Sequence, residues 1–158
     1  MANWKSIVES FFRNSDPEGE YRHVTGPPAS NAALSTVEAR IGVSIPEELR
    51  SLYLLYNGFG MQHDDEPGWV IPSLEDLPDF MEKWRLAFSE THPDSASRFF
   101  PYFDWVNGDA TGYMLQDDGK YYPFLVTFMH ELYRYSASQD IDEFLERGPE
   151  NFVALFSP

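Results

Sequence analysis

The stretch IGVSIPEELRSLYLLYNGFG, residues Ile41 to Gly60, carries the clearest structural signals in the chain. Apolar residues spaced by three and four lead up to Gly42, and this pattern predicts a helix that a left-handed glycine closes. Pro46 then occupies the place of a first helical residue, where its missing amide needs no partner. A second apolar series follows, and Asn57 and Gly58 end it. The stretch therefore predicts two helices joined at a short corner.

The rest of the chain predicts further helices and strands in a definite order. Helices are indicated by apolar spacing and capping residues, and strands by short apolar runs between turn residues. The N-terminal half is predicted to contain a helix over 4–11, a loop over 14–30, the two corner helices and an acidic loop over 58–68. A strand at 69–71 follows, and then a helix that begins at Pro78 and ends at His92 and Pro93. The remaining predictions are strands at 99–106 and 110–115 joined by a turn at Asn107 and Gly108, a turn over 116–120, mainly strand over 121–134, and a helix after Ser138. Helices followed by hairpin-linked strands are typical of an α+β fold.

The corner and three later segments also resemble a known family. The corner contributes a motif of acidic, glycine, proline, leucine and asparagine residues, namely Glu38, Gly42, Pro46, Glu47, Glu48, Leu49, Asn57 and Gly58. Residues 71–77, the segment 99–109 with Gly108 and Asp109, and residues 141–145 follow in the family's order. Together they resemble the SUKH superfamily over residues 32–147, which is most of the chain.

The resemblance implies a fold and a domain organisation. The implied fold is a single α+β domain with a largely antiparallel sheet surrounded by helices. We expect residues 1–158 to form that one domain, because a chain of 158 residues buries a sufficient core. Residues 1–30 are expected to add a helix and a loop to the SUKH-like core over 32–147.

The chain is strongly acidic. With 26 acidic and 11 basic residues, its formal net charge is −15. Such a charge disfavours direct binding to nucleic acid or to an anionic membrane, and it favours a cationic partner. The alternative is that the charge only keeps an aromatic-rich domain in solution.

The sequence also bears on where the protein works. It contains no cysteine, which excludes a disulfide framework and a thiolate metal site. No apolar run reaches the roughly 18 residues that span a bilayer, and the N-terminal residues lack the order of a signal peptide. A cytoplasmic protein is the simplest expectation.

Two acidic segments are candidate metal sites. The run from His63 to Glu66 combines imidazole and carboxylate groups, which bind divalent ions. Its adjacent positions match no helical zinc motif and no calcium loop, so a solvated loop is favoured. The run from Asp117 to Gly119 resembles the start of a calcium loop, but Lys120 and Tyr121 follow where carboxylates are required. A hairpin turn is therefore preferred there, and we expect no metal or other cofactor.

Candidate catalytic pairs have simpler structural explanations. His130 and Glu131 are neighbours on a predicted strand, so their side chains point to opposite faces and cannot meet. Asp104 and Asp109 are candidates for acid–base chemistry, but an aspartate beside a glycine is typical of a turn. The sequence has no nucleophile elbow and no phosphate-binding glycine loop. We therefore expect no enzymatic activity.

The resemblance implies a function in bacterial toxin systems. Most bacterial relatives are immunity proteins that bind and block a toxin domain, often a nuclease. A nuclease holds phosphates in a cationic cleft, to which an acidic surface can dock. The candidate contact residues are the acidic side chains of the predicted acidic loop and of the turn over 116–120, namely Asp64, Asp65, Glu66, Asp117 and Asp118.

Two other functions remain open from the sequence. The first is a non-catalytic regulatory or scaffold module, as in fungal relatives tied to cell-wall synthesis. Those relatives tend to carry long disordered extensions, and we expect none here, which disfavours this function. The second is an enzyme on the same scaffold, which a tightly bound metal or small ligand in the purified protein would indicate.

Overall fold

The computed structural model describes residues 3–64, 69–90, 93–104, 110–115, 117–121 and 126–128. Their elements are α1 (Trp4–Ser15), β1 (Arg22–Thr25), α2 (Asn31–Ile41), α3 (Glu47–Tyr53), β2 (Phe59–Gln62), β3 (Trp69–Ile71), α4 (Leu77–Ser89), α5 (Pro93–Arg98), β4 (Phe99–Asp104), β5 (Ala110–Met114) and β6 (Val126–Phe128). Helices and antiparallel strands occur together, so the predicted α+β class is confirmed. The described residues up to Pro78 belong to one compact unit, and those from Asp79 onward belong to a second.

The first unit contains a three-stranded antiparallel sheet in the order β1–β2–β3. Strand β2 is central: Gly60 pairs with Val24 of β1, and Phe59 pairs with Ile71 of β3. Phe59 and Ile71 are completely buried. The core of this unit therefore lies against the middle strand of the sheet.

Helix α1 packs on this unit, as the sequence predicts. The Asn3 side chain caps it by accepting a hydrogen bond from the amide of Ser6 at 3.3 Å. Its apolar face is buried, and the ring of Phe12 lies edge-on to that of Phe59, with the centroids 5.8 Å apart. Trp4 Nε1 donates a hydrogen bond to Ser51 Oγ at 2.7 Å, which links α1 to α3. These contacts make α1 part of the first unit.

The corner between α2 and α3 follows the sequence closely. Gly42 ends α2 with φ 76° and ψ 10°, so the predicted left-handed glycine is confirmed. The sequence predicts Pro46 as the first helical residue of α3, but Pro46 is the N-cap, one position before the helix. Its ψ of 142° is extended, and Glu47 is the first helical residue. The carbonyl of Pro46 nevertheless accepts the first helical hydrogen bond, from the amide of Arg50 at 2.8 Å.

Two segments that the sequence predicts as loops contain strands. Strand β1 lies inside the predicted loop 14–30, and β2 lies inside the predicted loop 58–68. Three of the four β1 residues are exposed, so β1 has no alternation of apolar and polar residues. Strand β2 begins directly after the Asn57–Gly58 helix stop and contains a glycine. Pairing between distant segments, which local pattern does not reveal, produces both strands.

The second unit contains a sheet in the order β4–β5–β6, also antiparallel. Trp84 and Phe88 of α4 belong to a buried cluster with Phe99 of β4, and Arg85 Nε donates to the Phe99 carbonyl at 2.7 Å. Helix α4 starts at Leu77, one residue before the predicted Pro78. The sequence does not predict α5, which is short and polar and starts at the proline expected to end α4.

Several predicted features lie outside the described residues. They are the turn at Asn107 and Gly108, the neighbouring Asp109, the pair His130 and Glu131, and the helix after Ser138. Among the residues that the structure describes, no helix combines the length and apolar character needed to cross a bilayer.

Candidate partner-binding surface

The acidic residue of the corner motif, Glu38, joins two helices. Its Oε1 accepts a hydrogen bond from the amide of Ile45 at 2.9 Å and another from the guanidinium of Arg50. The Glu38 and Arg50 side chains are both mostly buried. A charge-assisted hydrogen bond of this kind is stronger than a neutral one. Glu38 therefore fixes the angle at which α3 follows α2.

Asn57 connects the end of α3 to the segment after β3. Its Oδ1 accepts from the Leu74 amide at 2.7 Å, and its Nδ2 donates to Glu75 Oε2 at 2.9 Å. Gly58 follows with φ 84°, a left-handed backbone conformation that residues with a side chain rarely adopt. A Cβ at Gly58 would also lie 2.7 Å from the Ile71 carbonyl oxygen. Both motif residues thus have structural roles.

Two further residues of the corner motif, Leu49 and Glu47, have structural roles, and Tyr53 lies beside them in α3. Leu49 is completely buried in the first unit, and Glu47 is exposed in the first turn of α3, where its charge favours the helix dipole. Tyr53 is completely buried and donates from its hydroxyl to the Pro72 carbonyl at 2.8 Å. Burial, followed by the nearby Glu75 carboxylate, raises the pKa of Tyr53. This tyrosine is therefore a neutral hydrogen-bond donor.

Glu75 is an exposed carboxylate held in place by its surroundings. A hydrogen bond from its own backbone amide and then one from the Asn57 side chain lower the pKa of Glu75. Burial opposes these contributions to a smaller extent. Glu75 therefore presents a fixed negative charge beside the end of α3.

The candidate contact residues are found in both units. Asp64 lies in the first unit, its side chain is 85% exposed, and its Oδ2 is 3.2 Å from His63 Nδ1. Its φ of 54° is left-handed, a conformation that aspartate tolerates better than most residues. Asp65 and Glu66 lie outside the described residues.

Asp117 and Asp118 lie in the second unit, in the turn that the sequence predicts. The Asp117 side chain is 99% exposed, and its Oδ1 accepts from Arg98 at 3.3 Å. Asp118 Oδ1 accepts from the Lys120 amide at 3.0 Å, which stabilises the turn. Within the described ranges, histidine and carboxylate side chains form no group of three or more that is placed to hold a metal ion.

Exposed apolar residues that the sequence does not predict lie at the end of α3. Leu54 and Leu55 are 40% and 37% exposed, although they continue an apolar series. They follow the last residue of α3, in which Leu49, Leu52 and Tyr53 are buried. The sequence holds no signal for this exposure, because Leu55 follows Leu52 by three residues and therefore extends the same apolar spacing.

The class of protein follows from the fold and from a family comparison. The described residues combine helices with antiparallel strands, which defines the α+β class. The chain belongs to the SMI1 / KNR4 family (SUKH-1), whose family model matches residues 28–147. The resemblance found in the sequence is therefore confirmed. No curated protein matches the chain.

Proposed function

We propose that this chain is a non-catalytic immunity protein that binds and neutralises a cationic toxin domain. Its membership of the SUKH-1 family, together with a formal net charge of −15, carries the proposal. The family supplies a binding scaffold, and the charge selects partners of opposite sign. Blocking a toxin requires only occupation of its surface, so the proposal needs no cofactor and no catalytic group. The protein would act in the cytoplasm of the bacterium that makes it.

The distribution of charge supports this mechanism. Most acidic side chains in the described residues are exposed, including those of Asp64, Asp117 and Asp118. Exposed carboxylates attract a cationic cleft over about 8 Å at physiological ionic strength and speed the encounter of two proteins. A nuclease toxin has such a cleft because it must hold phosphates. Carboxylates docked there would take the place of the nucleic acid.

The experiment is co-expression with a candidate toxin. The probe is the C-terminal domain of the protein encoded immediately upstream of the gene for this chain. We expect that domain alone to stop growth, and co-expression of this chain to restore it. The two proteins should copurify at moderate salt and separate as the salt concentration rises. Growth arrest that this chain does not relieve would contradict the proposal.

A regulatory or scaffold module is the second candidate function. Membership of the SMI1 / KNR4 family is compatible with it as well, and the sequence resemblance implies it through the fungal relatives tied to cell-wall synthesis. The identity of the bound partner distinguishes the two functions, because a regulator binds a protein of its own cell and does not inhibit a toxin. Stable capture of such a protein, combined with failure of the growth rescue, would favour this second candidate.

A further inference from the structure

The end of α3 exposes apolar side chains next to exposed prolines. Leu54 and Leu55 follow the last residue of α3, and both are exposed. The segment of Pro27 and Pro28 lies alongside them. The Ala29 amide donates to the Tyr53 carbonyl at 2.9 Å, and the Asn57 amide donates to the Pro27 carbonyl at 3.0 Å. We call Pro27, Pro28, Leu54 and Leu55 the Leu54–Leu55 patch.

The backbone of the Leu54–Leu55 patch is firmly held. The amides of Leu55 and Tyr56 both donate to the Leu52 carbonyl, at 2.9 and 2.7 Å. The Gly26 amide donates to the Gly58 carbonyl at 2.9 Å. This hydrogen bond connects the segment before Pro27 to the segment after Asn57. A surface that is already ordered loses little conformational entropy when a partner binds. The backbone of the patch is therefore ordered before a partner binds.

Two carboxylates stand beside the Leu54–Leu55 patch. Asn57 connects Glu75 to the patch, because its amide donates to the Pro27 carbonyl at 3.0 Å and its side chain donates to Glu75 Oε2 at 2.9 Å. The neighbouring Asp76 is exposed, and its Oδ2 accepts from Ser73 Oγ at 3.2 Å. The lowered pKa of Glu75 keeps that charge in place under mildly acidic conditions. An apolar centre with a charged rim is the usual composition of a protein interface.

We propose that the Leu54–Leu55 patch, with Glu75 and Asp76 at its rim, is the surface on which the cationic toxin domain docks. This inference rests on the proposed function and assigns its binding site. The occupant is a protein surface that offers apolar side chains to the leucines and lysine or arginine to the two carboxylates. The leucines supply affinity, and the carboxylates supply orientation and speed of association.

The test compares variants in binding to the catalytically inactivated toxin domain from the upstream gene. Leu54→Ser combined with Leu55→Ser should weaken binding about 100-fold, as expected when two central apolar contacts are lost. Glu75→Gln combined with Asp76→Asn should slow association and flatten its salt dependence. The matched control is Leu86→Ser, because Leu86 is a 72% exposed leucine of α4 outside the patch. It should leave the affinity unchanged.

A second measurement covers the case in which the leucine variant does not fold. Hydrogen exchange of the wild-type complex should slow at amides 53–57 when the toxin domain binds. Two results would overturn the docking site alone, provided that the wild-type chain binds the toxin domain. One is an unchanged affinity of the leucine variant, and the other is the absence of slower exchange at amides 53–57 in the wild-type complex. Absence of wild-type binding would overturn the proposed function as well. Self-association of the chain that the leucine variant abolishes would overturn the inference too, because the occupant would then be a second copy.

Discussion

Single residues decide the shape of the corner and of the segment that follows it. Glu38 holds α3 at a fixed angle through the Ile45 amide and Arg50, and Asn57 holds the end of α3 against Leu74. The sequence predicts Gly42, Asn57 and Gly58 as helix stops, because stop residues act through their own backbone. It does not reveal the partners of Glu38 and Asn57, since those contacts depend on the folded chain.

Gly58 and Gly42 offer a matched pair of substitutions. Both glycines are left-handed, but a Cβ at Gly58 would meet the Ile71 carbonyl at 2.7 Å, whereas a Cβ at Gly42 meets nothing within 4 Å. Gly42→Ala should lower the free energy of unfolding by about 1–2 kcal/mol, through the left-handed conformation alone. Gly58→Ala adds a backbone clash and should cost about 3 kcal/mol or more. Urea unfolding measures both, and equal losses would contradict the crowding around Gly58.

At the scale of elements, Asp16 attaches α1 to β1. Its side chain is almost fully buried and accepts hydrogen bonds from the amides of Glu20 and Tyr21, at 2.8 and 3.1 Å. Its Oδ2 also accepts from His23 Nε2 at 2.8 Å, and the His23 ring stacks on Phe12 with centroids 4.5 Å apart. Burial alone would raise the pKa of Asp16, but these hydrogen bonds outweigh burial and lower it.

The lowered pKa of Asp16 predicts a loss of stability in acid. The unfolded carboxyl has a pKa near 3.8, so in acid the unfolded chain binds this proton more readily than the folded chain does. The contribution of Asp16 is therefore complete above about pH 5 and declines as the pH falls through 3.8 and below. Asp16→Asn should be less stable than wild type at pH 7, and the difference should shrink towards pH 3.

The measurement for Asp16 is the free energy of unfolding against pH for wild type and variant. Glu9→Gln is the control, because Glu9 is an exposed carboxylate on the same helix. That control should follow the wild-type curve closely. A constant difference between Asp16→Asn and wild type from pH 7 to pH 3 would contradict the role given to the Asp16 charge.

Elements differ in how far the sequence predicts them. Helices α1 to α4 carry their apolar spacing in local sequence, so their predicted positions are confirmed to within a few residues. Strands β1 and β2 are short, and β1 buries almost nothing, so they are strands because β1 pairs with β2 and β2 pairs with β3. Helix α5 has a single apolar residue, Ala96, which is too little for periodicity to indicate a helix.

At the scale of the whole molecule, charge and contact are separate contributions to binding. The net charge of −15 acts at a distance and determines how fast a cationic partner arrives. The contacts that a bound partner makes determine how long it stays. The sequence predicts the first contribution directly from composition. It could not predict the second, because exposure of Leu54 and Leu55 depends on which face of α3 the core covers.

The acidic loop of Asp64, Asp65 and Glu66 provides the last prediction, which concerns charge alone. Replacing these residues with asparagine, asparagine and glutamine should slow association with the toxin domain roughly tenfold at low salt. The decrease of the rate with salt should also become shallower, because fewer charges attract the partner. Stopped-flow mixing over a range of ionic strength measures both quantities.

The control for the acidic loop must change net charge equally. Glu9→Gln, Glu18→Gln and Glu20→Gln together remove three exposed carboxylates elsewhere in the first unit. If the loop faces the arriving partner, the association rate should decrease more in the loop variant than in this control, since attraction weakens with distance. Equal losses would mean that only the total charge matters. An unchanged rate and salt dependence in the loop variant would remove Asp64, Asp65 and Glu66 from the interface.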